Sequence, residues 1–437
     1  MSNSDKLALL GGTPVNDTPF RFNNSIGEEE KRAVMRVLDS GELSGFIAAP
    51  DDTFWGGPEV RALEKSFCEH FGVGHAIAMN SATSCLYGAV AALGAGPGDE
   101  VITSPYTMSA TSAAILAAGA TPVFADIEEE YFGLDPESVT ANISPQTKGI
   151  LTVNLFGHGS RLDELRAIAD KHGLFLAEDN AQAPDAIYRG EKTGTVGDAG
   201  VFSFNRHKVM QSGEGGVLVT DDDTIALKAA LIRNHGECVV QDMGVEDIVN
   251  TVGLNLRITE MEAAVAHEQF KKMPKLNNER IQLANRLTDL LNEIPGIIPP
   301  QRAPDSRHVY YMFASRYDET ETGIPRELFA KAVTAEGCFV RAGFLRPTHL
   351  EPVFQQKICF GDSGFPFSAN PRFDELDYRQ GICPVCEDLQ ENRLLMTAIM
   401  QPPQTESDMG LFADACEKVL RNRDALLDTS REDAAAQ

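Results

Sequence analysis

An aspartate and a lysine, set close together among glycines, could do covalent chemistry in this chain. In residues 174–220 one short apolar run ends in Glu178-Asp179, and the next ends at Ser203, five residues before Lys208. Gly213-Glu214-Gly215-Gly216 follows. Most lysines are only solvated surface charges. One that forms a Schiff base must be partly desolvated and free to move, which a glycine-rich surround permits. An aspartate at a neighbouring strand end could hold the protonated nitrogen of a pyridine ring, or could only cap its turn. A hydroxyl near the lysine could reach a phosphate. Together these are the needs of pyridoxal 5′-phosphate (PLP). A further segment fits: Ser81-Ala82-Thr83-Ser84 opens a helix directly after a strand. Small residues there expose backbone N–H groups and the positive dipole end to a phosphate. A plain N-cap by Ser81 or Thr83 is the rival reading.

The elements that must position these residues follow from periodicity. Short apolar runs recur at 75–79, 100–103, 122–126, 149–155, 174–177, 200–204 and 216–220, each the length of a buried strand. Helical stretches at 84–93, 109–118, 136–143 and 162–172 separate the first five. This alternation predicts an α/β fold: a seven-stranded, mostly parallel sheet with helices on both faces. In such sheets ligands bind beyond the C-terminal strand ends, where Asp179 falls. Two more helices are expected at 28–40 and 59–71, after a polar arm that packs on something else. Residues 260–293 read as helical, with Pro274 expected to break or kink them. Beyond residue 296 a smaller α+β C-terminal domain is expected, with strands at 308–315 and 339–341, a helix at 325–335, a loop-rich segment at 344–382 and a last helix at 406–421. The expected division is 1–275 for the arm and large domain, 276–428 for the small domain, and 429–437 for a disordered tail.

Composition narrows the function. Of 437 residues, 38 are Lys or Arg and 64 are Asp or Glu, so the formal charge is −26. So acidic a surface repels phosphate backbones, which argues against nucleic-acid binding. No apolar run approaches the ~18–20 residues of a membrane span. The first residues lack a basic region followed by an apolar one, so no secretory signal is expected. Eight scattered cysteines then read as reduced thiols of a cytoplasmic protein.

Four segments together resemble the DegT/DnrJ/StrS family of sugar and cyclitol aminotransferases, fold-type I PLP enzymes. They are Asn80-Ser81-Ala82-Thr83-Ser84, Glu178-Asp179-Asn180-Ala181-Gln182-Ala183, Ser203-Phe204-Asn205-Arg206-His207-Lys208 with Gly213-Glu214-Gly215-Gly216, and Gly253-Leu254-Asn255-Leu256-Arg257. Leu9-Leu10-Gly11-Gly12-Thr13-Pro14 and Cys383-Pro384 are similar to a subset that includes 3-amino-5-hydroxybenzoate synthase and 2-deoxy-scyllo-inosose aminotransferase. The resemblance spans about residues 7–422. It implies that Lys208 forms the Schiff base with PLP and shuttles the proton, while Asp179 pairs with the pyridine nitrogen. It places Gln182 against the ring near its phenolic oxygen. Ser81, Ala82 and Thr83, helped by Ser203, cradle the phosphate, and Asn255 reaches the phosphate in the other subunit of a homodimer with interfacial sites. The implied reaction moves an amino group from glutamate or glutamine to a keto-sugar or keto-cyclitol, in sugar biosynthesis or secondary metabolism, with ping-pong kinetics. The alternatives are dehydration or aromatisation on the same fold, and a regulatory homologue without turnover. Deoxygenating relatives carry histidine at the Schiff-base position, so Lys208 argues against that version, and the presence of both Lys208 and Asp179 argues against the regulatory one.

The sequence also departs from its relatives. Met108 falls where they carry an aromatic residue that stacks on the ring. A thioether can replace that contact, worth about 0.3–1.5 kcal/mol, or Met108 can fill core. Arg206 and His207 can meet an anionic substrate group or be solvated. Cys383 and Cys386 are expected to be structural thiols, and no metal site is expected, because no second pair accompanies them. His349 lies near the substrate or on the surface. Trp55 lies near the active site or in the core.

Overall fold

The seven apolar runs pair into one sheet in the computed structural model, which describes residues 3–21 and 24–428. The strands are β1 (His75–Met79), β2 (Glu100–Thr103), β3 (Thr121–Phe124), β4 (Thr147–Val153), β5 (Phe175–Asp179), β6 (Ala199–Ser203) and β7 (Gly216–Thr220), in the order β1-β7-β6-β5-β4-β2-β3. Neighbours from β3 to β6 are parallel, and β7 is antiparallel to both β6 and β1. Alternate residues of a strand serve opposite faces. In β1, Ile77 and Met79 join the cluster beneath helices Ala82–Ala92 and Asp223–Arg233, whereas Ala76 and Ala78 join the one beneath Pro58–Phe71. Both faces are thus covered, as a parallel sheet requires. The large sheet is seven-stranded and mostly parallel with helices on both faces, as the sequence predicts.

A second sheet orders its strands Ile297–Ile298, Phe313–Tyr317, Leu394–Thr397 and Arg341–Ala342, all antiparallel. Helices Arg326–Ala335 and Glu406–Arg421 share its apolar cluster. The N-terminal arm docks there: Leu7 is buried, and the Ala8 and Val15 N–H groups donate to Glu336 at 2.7 and 3.1 Å. Glu336 also holds Lys418 at 2.8 Å.

Three expectations are corrected. Pro274 does not break the helix, which runs unbroken over Glu260–Leu291, so position 275 lies in its interior. Phe270 and Met273 are buried in a cluster under the large sheet, and Leu283 and Leu287 in the core of the second. Burial at both ends outweighs the ~3 kcal/mol cost of an interior proline. The strand expected from 308 starts at Phe313, because Val309 and Met312 donate to Gly157 O and Phe156 O of the large domain. Leu394–Thr397, read as no element, is an inner strand of the second sheet. The expected disordered tail lies outside the described residues.

Candidate active site

Asp179 ends β5, flanked in register by Val153 of β4 and Val201 of β6. Its neighbour Glu178 points to the other face and is fully buried. Glu178 accepts from the Gly194, Val196 and Gly197 N–H groups at 2.7–2.8 Å and from Asn154 Nδ2 at 2.8 Å. Asn154 N–H donates to Asp179 O at 3.0 Å, and Asn180 Nδ2 donates to Ala183 O and Thr193 O. These bonds rigidify the turn after β5, so the Asp179 side chain is aimed rather than free. Its carboxylate is buried and, among the described residues, accepts only from neutral donors, Thr111 Oγ1 at 2.7 Å and Ala181 N–H at 3.1 Å. Burial raises its pKa, while the Thr111 hydroxyl, the Ala181 N–H and the charge of Lys208 pull it down.

Lys208 follows β6 in a loop tied by an Asn205–Gly213 bridge, with Lys208 N–H donating to Asn205 O at 2.9 Å. Gly215 sits at φ +136°, a conformation closed to other residues, and so returns the chain into β7. The lysine is partly buried and its ammonium lies 4.7 Å from the Tyr311 ring centroid. Burial pulls its pKa down from 10.5 to about 8, opposed by the nearby charge of Asp179. Asp179 and Lys208 therefore share one electrostatic neighbourhood at adjoining strand ends.

The helix Ala82–Ala92 begins beside β7. A Cβ on Gly216 would lie 2.6 Å from Ala82 N, so only glycine lets the strand meet the helix start. Ser81 Oγ caps the helix by accepting from Ser84 N–H at 3.1 Å. The first N–H groups of a helix lack intrahelical acceptors, which leaves Ala82 and Thr83 presenting donors there. Thr83 is exposed. Ser203 is buried and its Oγ accepts from Asn205 N–H at 3.3 Å. Gln182 is buried and its Oε1 accepts from Phe156 N–H at 3.0 Å, which orients its NH2 to donate elsewhere. Met108 is 58% exposed and lies just before the helix Ala110–Ala117, whose first turn holds Thr111. Asn255 is exposed, with Arg257 Nε donating to its Oδ1 at 2.8 Å.

Of the remaining candidates, some are buried and some face solvent. His349 is fully buried and paired with Glu387 at 3.0 Å, which overturns its surface reading. Cys383 and Cys386 lie in the apolar cluster around Tyr106 and Phe354. Trp55 is partly buried, edge-on to Phe54 at 5.4 Å. Arg206 and His207 are exposed. Sequence reasoning left Thr111 and Tyr311 without a role. Thr111 was findable: it lies in the first turn of the helix that follows β2, beyond the C-terminal end of that strand.

These residues fit PLP. A buried carboxylate with only neutral donors calls for a cation, which a protonated pyridine ring supplies. An amine of lowered pKa lies within its field, and a helix start offers N–H donors for a phosphate. The fold and this constellation define a PLP-dependent aminotransferase. The chain belongs to the DegT/DnrJ/EryC1/StrS aminotransferase family, whose sequence model matches residues 24–371. The L-glutamine:2-deoxy-scyllo-inosose aminotransferase of Streptoalloteichus tenebrarius is 34% identical over 434 residues, 96% of this chain and 99% of that protein. The spore coat polysaccharide biosynthesis protein SpsC of Bacillus subtilis is 34% identical over 351 residues, 79% of this chain and 87% of that protein. The crystal structure of DesI with its TDP-sugar product superposes with a TM-score of 0.81 at 29% identity, covering 98% of this chain and 100% of DesI.

Proposed function

We propose that this aminotransferase takes its amino group from glutamine or glutamate and gives it to a keto-cyclitol or a keto-sugar. The observation that carries the chemistry is the buried Asp179 carboxylate, held by Thr111 and within the field of a lysine of lowered pKa. The acceptor class rests on the likeness, over nearly the whole chain, to a protein named for a keto-cyclitol. When bound, PLP supplies an electron-withdrawing ring that stabilises negative charge on the substrate carbon. In this reading Lys208 holds the cofactor covalently and, once released, moves the proton. Asp179 keeps the ring nitrogen charged. Ala82, Thr83, Ser81 and Ser203 bind the phosphate, Gln182 donates toward the phenolic oxygen, and Met108 lies against the ring face.

The active unit in this proposal is a homodimer in the cytoplasm, with Asn255 completing the partner's site. Leu43, Ile47, Ile248, Val249, Val252 and Leu254 are 40–66% exposed. The Asn234 side chain donates to Ile47 O, and Leu254 N–H donates to Ile232 O, so both loops gather at the end of one helix. An apolar patch of this kind marks an interaction surface.

The deciding experiment is mass spectrometry of the products formed from glutamine with a panel of keto-cyclitols and nucleotide-linked keto-sugars. An aminated product from either class supports the proposal; reaction with neither, but with a simple keto acid, overturns it.

Two expected results concern the site itself. A lysine is a nucleophile only when deprotonated, and the pKa of Lys208 is lowered to about 8. Uptake of PLP by the stripped full-length protein should rise about tenfold per pH unit below that value and level off above it. A lysine of ordinary pKa would keep gaining rate until 10.5. Thr111→Val should leave Asp179 with one donor fewer. A hydrogen bond to a charged group contributes about 1.5–3 kcal/mol, so fluorimetric titration should show PLP binding weakened about tenfold or more.

A further inference from the structure

Tyr311 has no role in the site as described so far, yet its ring lies against the reactive end of Lys208, with Nζ 4.7 Å from its centroid. That lies within the range at which a ring face attracts an ammonium. The ring is fixed from several sides. Tyr311 is buried, and the flanking Val309 and Met312 N–H groups are tied to Gly157 O and Phe156 O. The buried Arg280 guanidinium donates to Tyr310 O at 3.4 Å and to Gln401 Oε1 at 2.8 Å, and its charge acts on the Tyr311 hydroxyl. The His207 ring stands 6.2 Å away on the side of the lysine loop.

We propose that Tyr311 is a catalytic residue: its ring face holds the Lys208 ammonium each time the lysine is released and takes a proton from the substrate. The inference rests on the reading of Lys208 as the proton-moving lysine. In that step an Nζ–H bond forms as the substrate C–H bond breaks, and the electron pair stays in the substrate's conjugated system. Return of the proton to the carbon on the far side of the substrate nitrogen restores the amine, so no outside oxidant or reductant is required. Burial works against a charged lysine, and the ring offsets part of that cost at the moment the charge appears. The charged or titratable groups facing Lys208 are Asp179 across the strand ends, Arg206 and His207 on its own loop, and Tyr311 with Arg280 behind it.

The test replaces Tyr311 by phenylalanine and then by 4-fluoro-, 3,4,5-trifluoro- and pentafluorophenylalanine. These nearly keep the shape of the ring while draining the negative charge from its face. Two quantities are read on the full-length chain: the pH midpoint of PLP uptake by the stripped protein, and the exchange of the glutamate α-proton with solvent in the holoenzyme. Tyr311→Phe keeps the ring face without the hydroxyl and is the reference from which both quantities are read. Progressive fluorination should lower the midpoint stepwise, by about one pH unit in all, and slow exchange about tenfold. A midpoint flat across the series overturns the inference, because the ring is then only packing. So does a shift complete at Tyr311→Phe, which would assign the effect to the hydroxyl. A midpoint that moves as expected in a protein whose α-proton exchange is absent even in wild type supports the ring's role and refutes transamination instead.

Discussion

Lys208→Ala is expected to abolish the long-wavelength absorbance of the covalently held cofactor and to leave no site for borohydride labelling. Loss of a positioned proton-transfer group alone costs about 10²–10⁴-fold in rate, and here the same side chain also makes the covalent link. The fold should survive. The pKa of Lys208 falls from 10.5 to about 8 in the folded chain. Below that pH both folded and unfolded chains carry the proton, and the folded chain bears the full desolvation cost, about 3 kcal/mol. The cost fades as pH rises from about 8 toward 10.5 and is absent above it. The stripped Lys208→Ala protein should therefore melt no lower than stripped wild type at pH 7, and its relative stability should decline by pH 10. Thermal melts at the two pH values, beside single-turnover rates with glutamate, separate lost chemistry from lost structure. A variant that keeps its rate would remove Lys208 from the mechanism.

How far the site could be read from the chain depends on how local each feature is. β1, β2 and β7 match their apolar runs residue for residue, because the middle residues of a strand buried on both faces must be apolar. Asp179 and Lys208 were legible for the same reason: each lies at or just past the end of such a run, and chain order alone brings them to one edge of the sheet. Tyr311 was not. It reaches Lys208 because the Val309 and Met312 N–H groups cross to the large domain, and nothing in 308–312 announces those acceptors. Leu394–Thr397 is likewise a strand by virtue of its partners Phe313–Arg316 and Arg341–Ala342. Pro274 misled because a propensity was weighed without the two clusters that its helix joins.

Asp179→Asn is the sharper test of the ring's electrostatics, because it changes charge with little change of shape. Asparagine Oδ1 can still accept from Ala181 N–H while its NH2 donates to Thr111 Oγ1, so the turn after β5 should persist. It cannot hold a positive charge on a pyridine nitrogen. Removing one preorganised electrostatic partner from a buried site costs about 10²–10³-fold in turnover, and that is the expected fall in kcat. Stability should change little or rise, because burial disfavours the ionised carboxylate. The acid side of the pH profile carries a second signature. Asp179 must be ionised to act, and burial raises its pKa, so wild-type activity should decline on acidification earlier than an ordinary carboxylate allows. That decline should be missing from the residual activity of the variant. Reconstitution with N-methylated PLP, whose ring charge needs no carboxylate, should recover part of the variant's lost rate and add nothing to wild type. Full activity in Asp179→Asn would reduce this carboxylate to a cap on its strand end, and the acid–base assignment at the ring would have to be sought elsewhere.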